Sequence, residues 1–164
     1  MISVHESILA SIVREANDRF PRETGGILLG RWVEPKQAVV TRMIGPGPRA
    51  KHGKATFEPD YEFQEAEIAK TYACSDLVFD YLGDWHSHPR GSSHPSQKDV
   101  RVLRKIAGHA PARCKDPIMC IVSGWPFWVA SAWSLVDGHC LEIQIASIPD
   151  KGWNASTETF PMVG

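Results

Sequence analysis

The sequence predicts an α/β domain, a mixed β-sheet with helices packed against it. Two observations lead to that class. Apolar or alternating runs bounded by Gly, Pro and Asp are interleaved with stretches whose apolar residues recur at helical period, in the order strand, helix, strands, helix, strand, helix, strands. The 164 residues, 43% hydrophobic, are enough for one well-buried core and too few for two ordinary domains. The expected organisation is one domain over residues 1–148 and a polar tail over 149–164 with isolated Trp153 and Phe160.

The elements follow in order. Ile2 to Val4 reads as a short strand, and Ile8, Leu9, Ile12, Val13 and Ala16 trace one face of a first helix that ends near Phe20 and Pro21. After Arg22, Glu23, Thr24 and two glycines, Ile27 to Val33 reads as a strand, hairpinned through Glu34, Pro35 and Lys36 to a second strand over Ala38 to Ile44. GPGPRAKHGK, residues 45–54, is a loop by its glycines and prolines, with solvated basic residues. Pro59 suits a helix's first turn and Glu58, Asp60 and Glu62 favour its positive end, so a second helix runs to about Cys74, with Tyr61, Ile68 and Tyr72 as its buried stripe. Leu77 to Trp85 is a strand. Beyond a third helix, Ile118 to Ser123, Phe127 to Val136 and Leu141 to Ala146 are three more, and Trp125, Trp128 and Trp133 are expected in core and edge packing.

The stretch that carries chemistry is WHSHPRGSSHPSQKD, Trp85 to Asp99. Alternation along a strand sends His86 and His88 to the same side. Pro89, Gly91, Ser92, Ser93 and Pro95 then end the strand and turn the chain. Ser96 suits an N-cap, and Val100, Leu103, Ile106 and Ala107 recur with helical period, so Asp99 lies in a helix's first turn. Two imidazoles and one carboxylate can converge from two rigid elements, and three protein ligands with an open fourth position suit a catalytic rather than a structural zinc site. Ordinary readings stand beside this one. Ser96 and Asp99 also form a common capping pair, and an isolated HxH can be a hydrogen-bonded surface pair.

Composition excludes several classes. The formal charge is −1 with scattered basic residues, so there is no electrostatic footprint for nucleic acid. No apolar run is long enough to span a bilayer and the N-terminus does not resemble a signal peptide, which makes the cytoplasm the expected location. Cys74, Cys114, Cys120 and Cys140 form no CxxC pair and read as buried reduced thiols, a regulatory thiol being the alternative. His5, His52, His109 and His139 lack ligand spacing and are expected at the surface, while His94 lies in the active loop but off the motif.

The joint pattern HSHP, six residues, Ser, two residues, Asp, resembles the motif of the JAMM/MPN metalloproteases at every fixed position. The resemblance covers roughly residues 5 to 147 and implies the cytidine-deaminase-like JAMM fold with a zinc ion on His86, His88 and Asp99. The HxE and PCxxC of the zinc deaminases themselves are missing, which excludes that chemistry. ETGGILLG is similar to the family element whose glutamate holds the water at the metal, which gives Glu23 the role of general base; on residues alone Glu23 reads as a solvated loop carboxylate, and only the resemblance lifts it. Ser96 is implied as a donor to the developing oxyanion. The implied reaction is hydrolysis of an isopeptide, or of a peptide bond after the flexible C-terminal tail of a protein substrate, and the 45–54 loop is implied as an alternative to face that tail. GD before WHSHP and PSQKDV after it look like the small bacterial members of CBASS anti-phage operons, which free a cyclic-nucleotide synthase from its conjugates. A bacterial peptidase acting on a ubiquitin-like sulfur carrier is the alternative. A catalytically dead MPN scaffold is a third, disfavoured because Glu23, His86, His88, Ser96 and Asp99 are all retained.

Overall fold

The computed structural model describes residues 1–74 and 79–150. Strand β1 (Ile2–His5) leads into helix α1 (Glu6–Arg19), followed by β2 (Gly25–Glu34) and β3 (Gln37–Ile44). A small hairpin, β4 (Lys51–His52) and β5 (Phe57–Glu58), precedes α2 (Tyr61–Cys74). Then come β6 (Asp80–His88), α3 (Gln97–Gly108), a 3₁₀ turn at Ala110–Ala112, β7 (Ile118–Ser123), β8 (Val129–Val136), β9 (His139–Ile143) and β10 (Ile145–Ile148). Eight strands form one mixed sheet in the order β10-β1-β3-β2-β6-β7-β8-β9. The α/β class is as expected.

Helix α1 packs on one face through Ile12 and Ala16, against Ile2, Val4, Leu28, Val40, Leu82, Trp85 and Val122. On the opposite face Phe63 and Ile68 of α2 cover Ile27, Leu29 and Ile44, and Leu103 of α3 packs with Met119, Ile121 and Trp133. The two layers of side chains seal β6 and β7 on both sides, so the end of β6 rises from a rigid core.

Several expectations are corrected. Leu141 to Ala146 is two strands rather than one. The chain breaks at Gln144, whose carbonyl accepts from Ile2 N at 2.8 Å. β9 therefore pairs antiparallel with β8 while β10 pairs parallel with β1, and the sheet curls until its edges meet. Tyr61 is 64% exposed because it stands at the helix's first position, before the stripe of Gln64, Ile68 and Thr71 reaches the sheet. The 45–54 loop is partly ordered as β4; Arg49 and Lys51 are exposed to solvent as expected, yet Arg49 also grips Asp60 at 3.0 Å and Glu62 at 2.7 Å, and Lys51 meets Glu58 at 3.2 Å. The second helix starts after Pro59, with Asp60 accepting from Phe63 N at 3.3 Å as its cap. His5 is buried, as the last residue of β1 paired against Ile148, with Asp150 3.5 Å from its ring. His52 is half-buried, and His109 and His139 are exposed. Trp133 is buried and Trp128 donates to Asn17 at 2.8 Å, but Trp125 is 53% exposed, stacked on Phe20. Cys114 and Cys120 are buried and free, and burial pushes the Cys120 thiol up to about 12. Leu77, Val78, the side chain of Cys74 and the tail from residue 151 lie outside the described residues.

Candidate metal centre

The end of β6 is aimed by a local irregularity. Where β2 passes from Leu28 to Leu29, β6 passes from Gly83 to Tyr81, so a bulge at Leu82 and Gly83 puts Tyr81 and Asp84 on one face although three positions separate them. Gly83 has φ 143°, and a Cβ there would lie 1.9 Å from Ile118 O, so only glycine allows the bulge to press against β7. Beyond it the strand alternates regularly. His86 and His88 project on the α3 side, and Ser87 is buried on the other.

Helix α3 supplies the third group. Ser96 Oγ accepts from Asp99 N at 3.3 Å and Asp99 Oδ2 accepts from Ser96 N at 2.6 Å, a complete capping box. The capping and the metal readings are therefore compatible, because the same carboxylate faces the histidines. Asp99 Oδ1 lies 3.6 Å from His86 Nε2, Asp99 Oδ2 3.7 Å from His88 Nε2, and the two Nε2 atoms are 3.0 Å apart. Ligands bound at about 2.0–2.1 Å with tetrahedral angles stand roughly 3.3 Å from one another. The three separations bracket that value, so two nitrogens and an oxygen can close on one divalent cation with sub-ångström adjustment. Among the described residues these three form the one such group.

Hydrogen bonds around the triad set its protonation. Ser92 O can only accept, so its 2.8 Å bond to His88 Nδ1 places the ring hydrogen there and turns the Nε2 lone pair to the site. Burial holds the His88 pKa below its ordinary value, against the pull of the Ser92 carbonyl. Burial pushes Asp99 up, but the nearby imidazole of His86 and the bonds from Ser96 outweigh it and keep the carboxyl ionised well below the usual range. A neutral imidazole and a firm carboxylate are the forms a metal requires.

Glu23 stands just ahead of β2, whose Gly25 is paired with His86. Its carboxyl is half-buried and its pKa raised by burial, with Asp99 adding to the rise and His86 and Lys98 opposing it. A Cβ on Gly25 would come within 2.6 Å of Trp85 O, 2.9 Å of Phe57 and 3.0 Å of His86 Cβ. The glycine thus lets the start of β2, two residues after the glutamate, lie flush with the histidine strand β6.

Three supporting residues escaped the sequence reading. Ser87, between the histidines, accepts from Thr24 N at 3.0 Å while its own N–H donates to Thr24 O at 2.8 Å, fastening the Glu23 segment to β6. Trp133 Nε1 donates to Ser93 O at 2.9 Å and braces the loop between His88 and Ser96. His52 bonds to the Glu23 carbonyl. Ser87 could have been suspected from alternation, which points it away from the site; Trp133 and His52 carry no local signal. His94 is exposed, hydrogen-bonded to Ser92 Oγ at 3.0 Å, and contributes no ligand atom to the triad.

Residues 5–136 match the family described as prokaryotic homologs of the JAB domain. A probable metalloprotease of Sinorhizobium fredii is 37% identical over 135 residues, 81% of this chain and 82% of that one. A CD-NTase/cGAS isopeptidase of Enterobacter hormaechei subsp. hoffmannii is 29% identical over 126 residues, 76% of this chain and 68% of that one. In fold, a JAB1/MPN domain protein of Archaeoglobus fulgidus superposes with a TM-score of 0.54 at 16% identity, over 89% of this chain and 98% of that one. A family match that spans most of the domain, and a fold that gathers its histidines and aspartate into one metal-sized cluster, lead to one conclusion: the chain belongs to the prokaryotic JAB family and is a JAB/MPN-type metalloprotease.

Proposed function

We propose that the protein is a zinc-dependent isopeptidase that hydrolyses an amide bond at the flexible C-terminal tail of a conjugated or ubiquitin-like protein, with His86, His88 and Asp99 as metal ligands. The observation that carries the reading is the convergence of these three side chains from β6 and α3, beside the half-buried carboxyl of Glu23. A zinc ion held by such a donor set lowers the pKa of a water towards about 7 and polarises a carbonyl.

The chain's own residues supply the remainder. Glu23 accepts a proton from the attacking water, and the same carboxyl passes it to the departing amine nitrogen. Burial, by raising the Glu23 pKa, brings that carboxyl closer to the pH at which both transfers are efficient. Ser96 Oγ receives its helix's Asp99 N–H, and its own O–H is available to donate to the oxygen that gains charge as the scissile carbonyl becomes tetrahedral. The β4–β5 hairpin bonds to the Glu23 backbone through His52 and Gly53, so it adjoins the glutamate and is our candidate to face an extended tail.

For the substrate, the relative named as a CD-NTase/cGAS isopeptidase supports deconjugation of a cyclic-nucleotide synthase, as in anti-phage defence. The test uses a CD-NTase joined through its C-terminus to a lysine side chain, with a ubiquitin-like sulfur-carrier precursor and a free dipeptide alongside. The conjugate is expected to be cleaved in preference to both, and equal rates on the dipeptide would argue for a general peptidase. On the same sample, Glu23→Gln should keep about one zinc per chain and lose about 10² to 10⁴ in kcat. Full zinc with wild-type turnover would defeat the mechanism; loss of zinc would make Glu23 a ligand.

A further inference from the structure

We infer that His52 is a positioning residue for Glu23, and that the β4–β5 hairpin sets the place of the glutamate. The inference rests on Glu23 acting as the base proposed above. Glu23 belongs to neither α1 nor β2, which end at Arg19 and begin at Gly25, so no helix or sheet bond of its own fixes it. Two bonds from the hairpin do. Glu23 N donates to Gly53 O at 2.8 Å, and His52 Nδ1 bonds to Glu23 O at 2.9 Å. Because a carbonyl only accepts, the ring hydrogen sits on Nδ1 and the imidazole is the donor. The backbone of one residue is thus held on both sides by consecutive residues of another segment.

The hairpin that does the holding is itself anchored. Gly53 N donates to Thr56 O at 2.7 Å and closes the turn, and Phe57 lies against the space left by the missing Cβ of Gly25. Upstream, Arg49 binds Asp60 through its backbone N–H at 3.2 Å, Nε at 3.1 Å and Nη2 at 3.0 Å, while Asp60 caps α2. The order of attachment runs from α2 through Asp60 and Arg49 to the hairpin, and from its His52 and Gly53 to Glu23. Placement errors of about 1 Å cost catalysis up to about a hundredfold, so the donor on His52 has a direct bearing on turnover.

The His52 ring also stacks obliquely on Phe57, with centroids 5.5 Å apart, which offers a purely structural role to be separated from the donor role. Two variants do so. His52→Phe keeps a ring against Phe57 and removes the donor; His52→Asn keeps an N–H donor near the Nδ1 position and removes the ring. With the conjugate as substrate, His52→Phe is expected to lower kcat about 10- to 100-fold with little change in KM or zinc content, and His52→Asn to stay within a few-fold of wild type. The reverse order, or equal losses in both accompanied by lower melting temperatures, would overturn the inference in favour of ring packing. If His52→Phe does not fold, His52→Gln, which moves the amide away from the Nδ1 position, takes its place with the same expected loss. Glu23→Gln measured in parallel keeps the two conclusions apart. An inactive Glu23→Gln with a fully active His52→Phe removes only the His52 role, whereas an active Glu23→Gln removes the proposed base and the inference with it.

Discussion

Ser87→Ala removes one oxygen from the molecule and tests how the Glu23–Thr24 segment is joined to the histidine strand β6. Ser87 and Thr24 are both fully buried, and the Ser87 hydroxyl is the acceptor for Thr24 N–H at 3.0 Å. The reciprocal bond, Ser87 N to Thr24 O at 2.8 Å, survives the substitution because it is made by backbone. The loss is therefore one buried N–H left without its acceptor, which costs about 1–3 kcal/mol. In a domain of this size each kcal/mol moves the melting temperature by about 2–4 °C, so the expected fall is roughly 2–12 °C. Zinc content should not change, since His86 and His88 stay on a strand still paired with β2 and β7. Turnover should fall, because Glu23 adjoins the loosened residue. Thermal melts read by circular dichroism, zinc by elemental analysis and kcat on one preparation give all three quantities. An unchanged melting temperature would refute the account of the Thr24 bond, and a parallel loss of zinc would show that Ser87 supports the histidines instead.

Two other substitutions separate roles that one residue combines. Asp99→Asn retains an oxygen for Ser96 N–H but loses the charge that His86 and Ser96 stabilise, so the metal-free protein should melt somewhat lower near neutral pH while zinc affinity, measured by competition with a chelating dye, drops steeply; wild-type affinity would remove Asp99 from the ligand set. Asp60 is held below the usual carboxylate range chiefly by its bonds from Arg49, which outweigh burial. A lowered folded pKa means stability that is full above the unfolded value of about 3.9 and is lost as pH falls through the folded value. The gap in melting temperature between wild type and Asp60→Asn should therefore be widest near neutral pH and close in acid, and a gap independent of pH would show that charge is not the source.

The parts of the site that were legible are those encoded within one element. The side-to-side alternation of His86, Ser87 and His88 and the Ser96 to Asp99 cap follow from local periodicity, and the structure contains both. The strand-helix order was legible for the same reason. Errors arose where a residue's surroundings come from a distant segment. Tyr61 has the right spacing for a buried stripe but overhangs the sheet, and His5 looks like a surface residue until β10 arrives beside β1. The Leu141 to Ala146 run is continuous in hydrophobicity, yet its two halves belong to opposite edges of the curled sheet.

What the sequence by itself determined is the inventory and its local geometry: the strand and helix order, two histidines on one strand face, an aspartate in a helix's first turn, and through the joint motif a resemblance to a metalloprotease family. Only the tertiary structure decided that these groups meet. The 3.0 to 3.7 Å separations of the triad depend on the bulge at Gly83, the brace from Trp133 to the loop before α3, and the packing of Leu103 against β7 and β8. It also decided that Glu23 is held by His52, Gly53 and, through Thr24, by Ser87. Periodicity acts over a few residues and leaves its mark in sequence, whereas these contacts join segments about 16 to 63 positions apart and exist only once the sheet has brought them together.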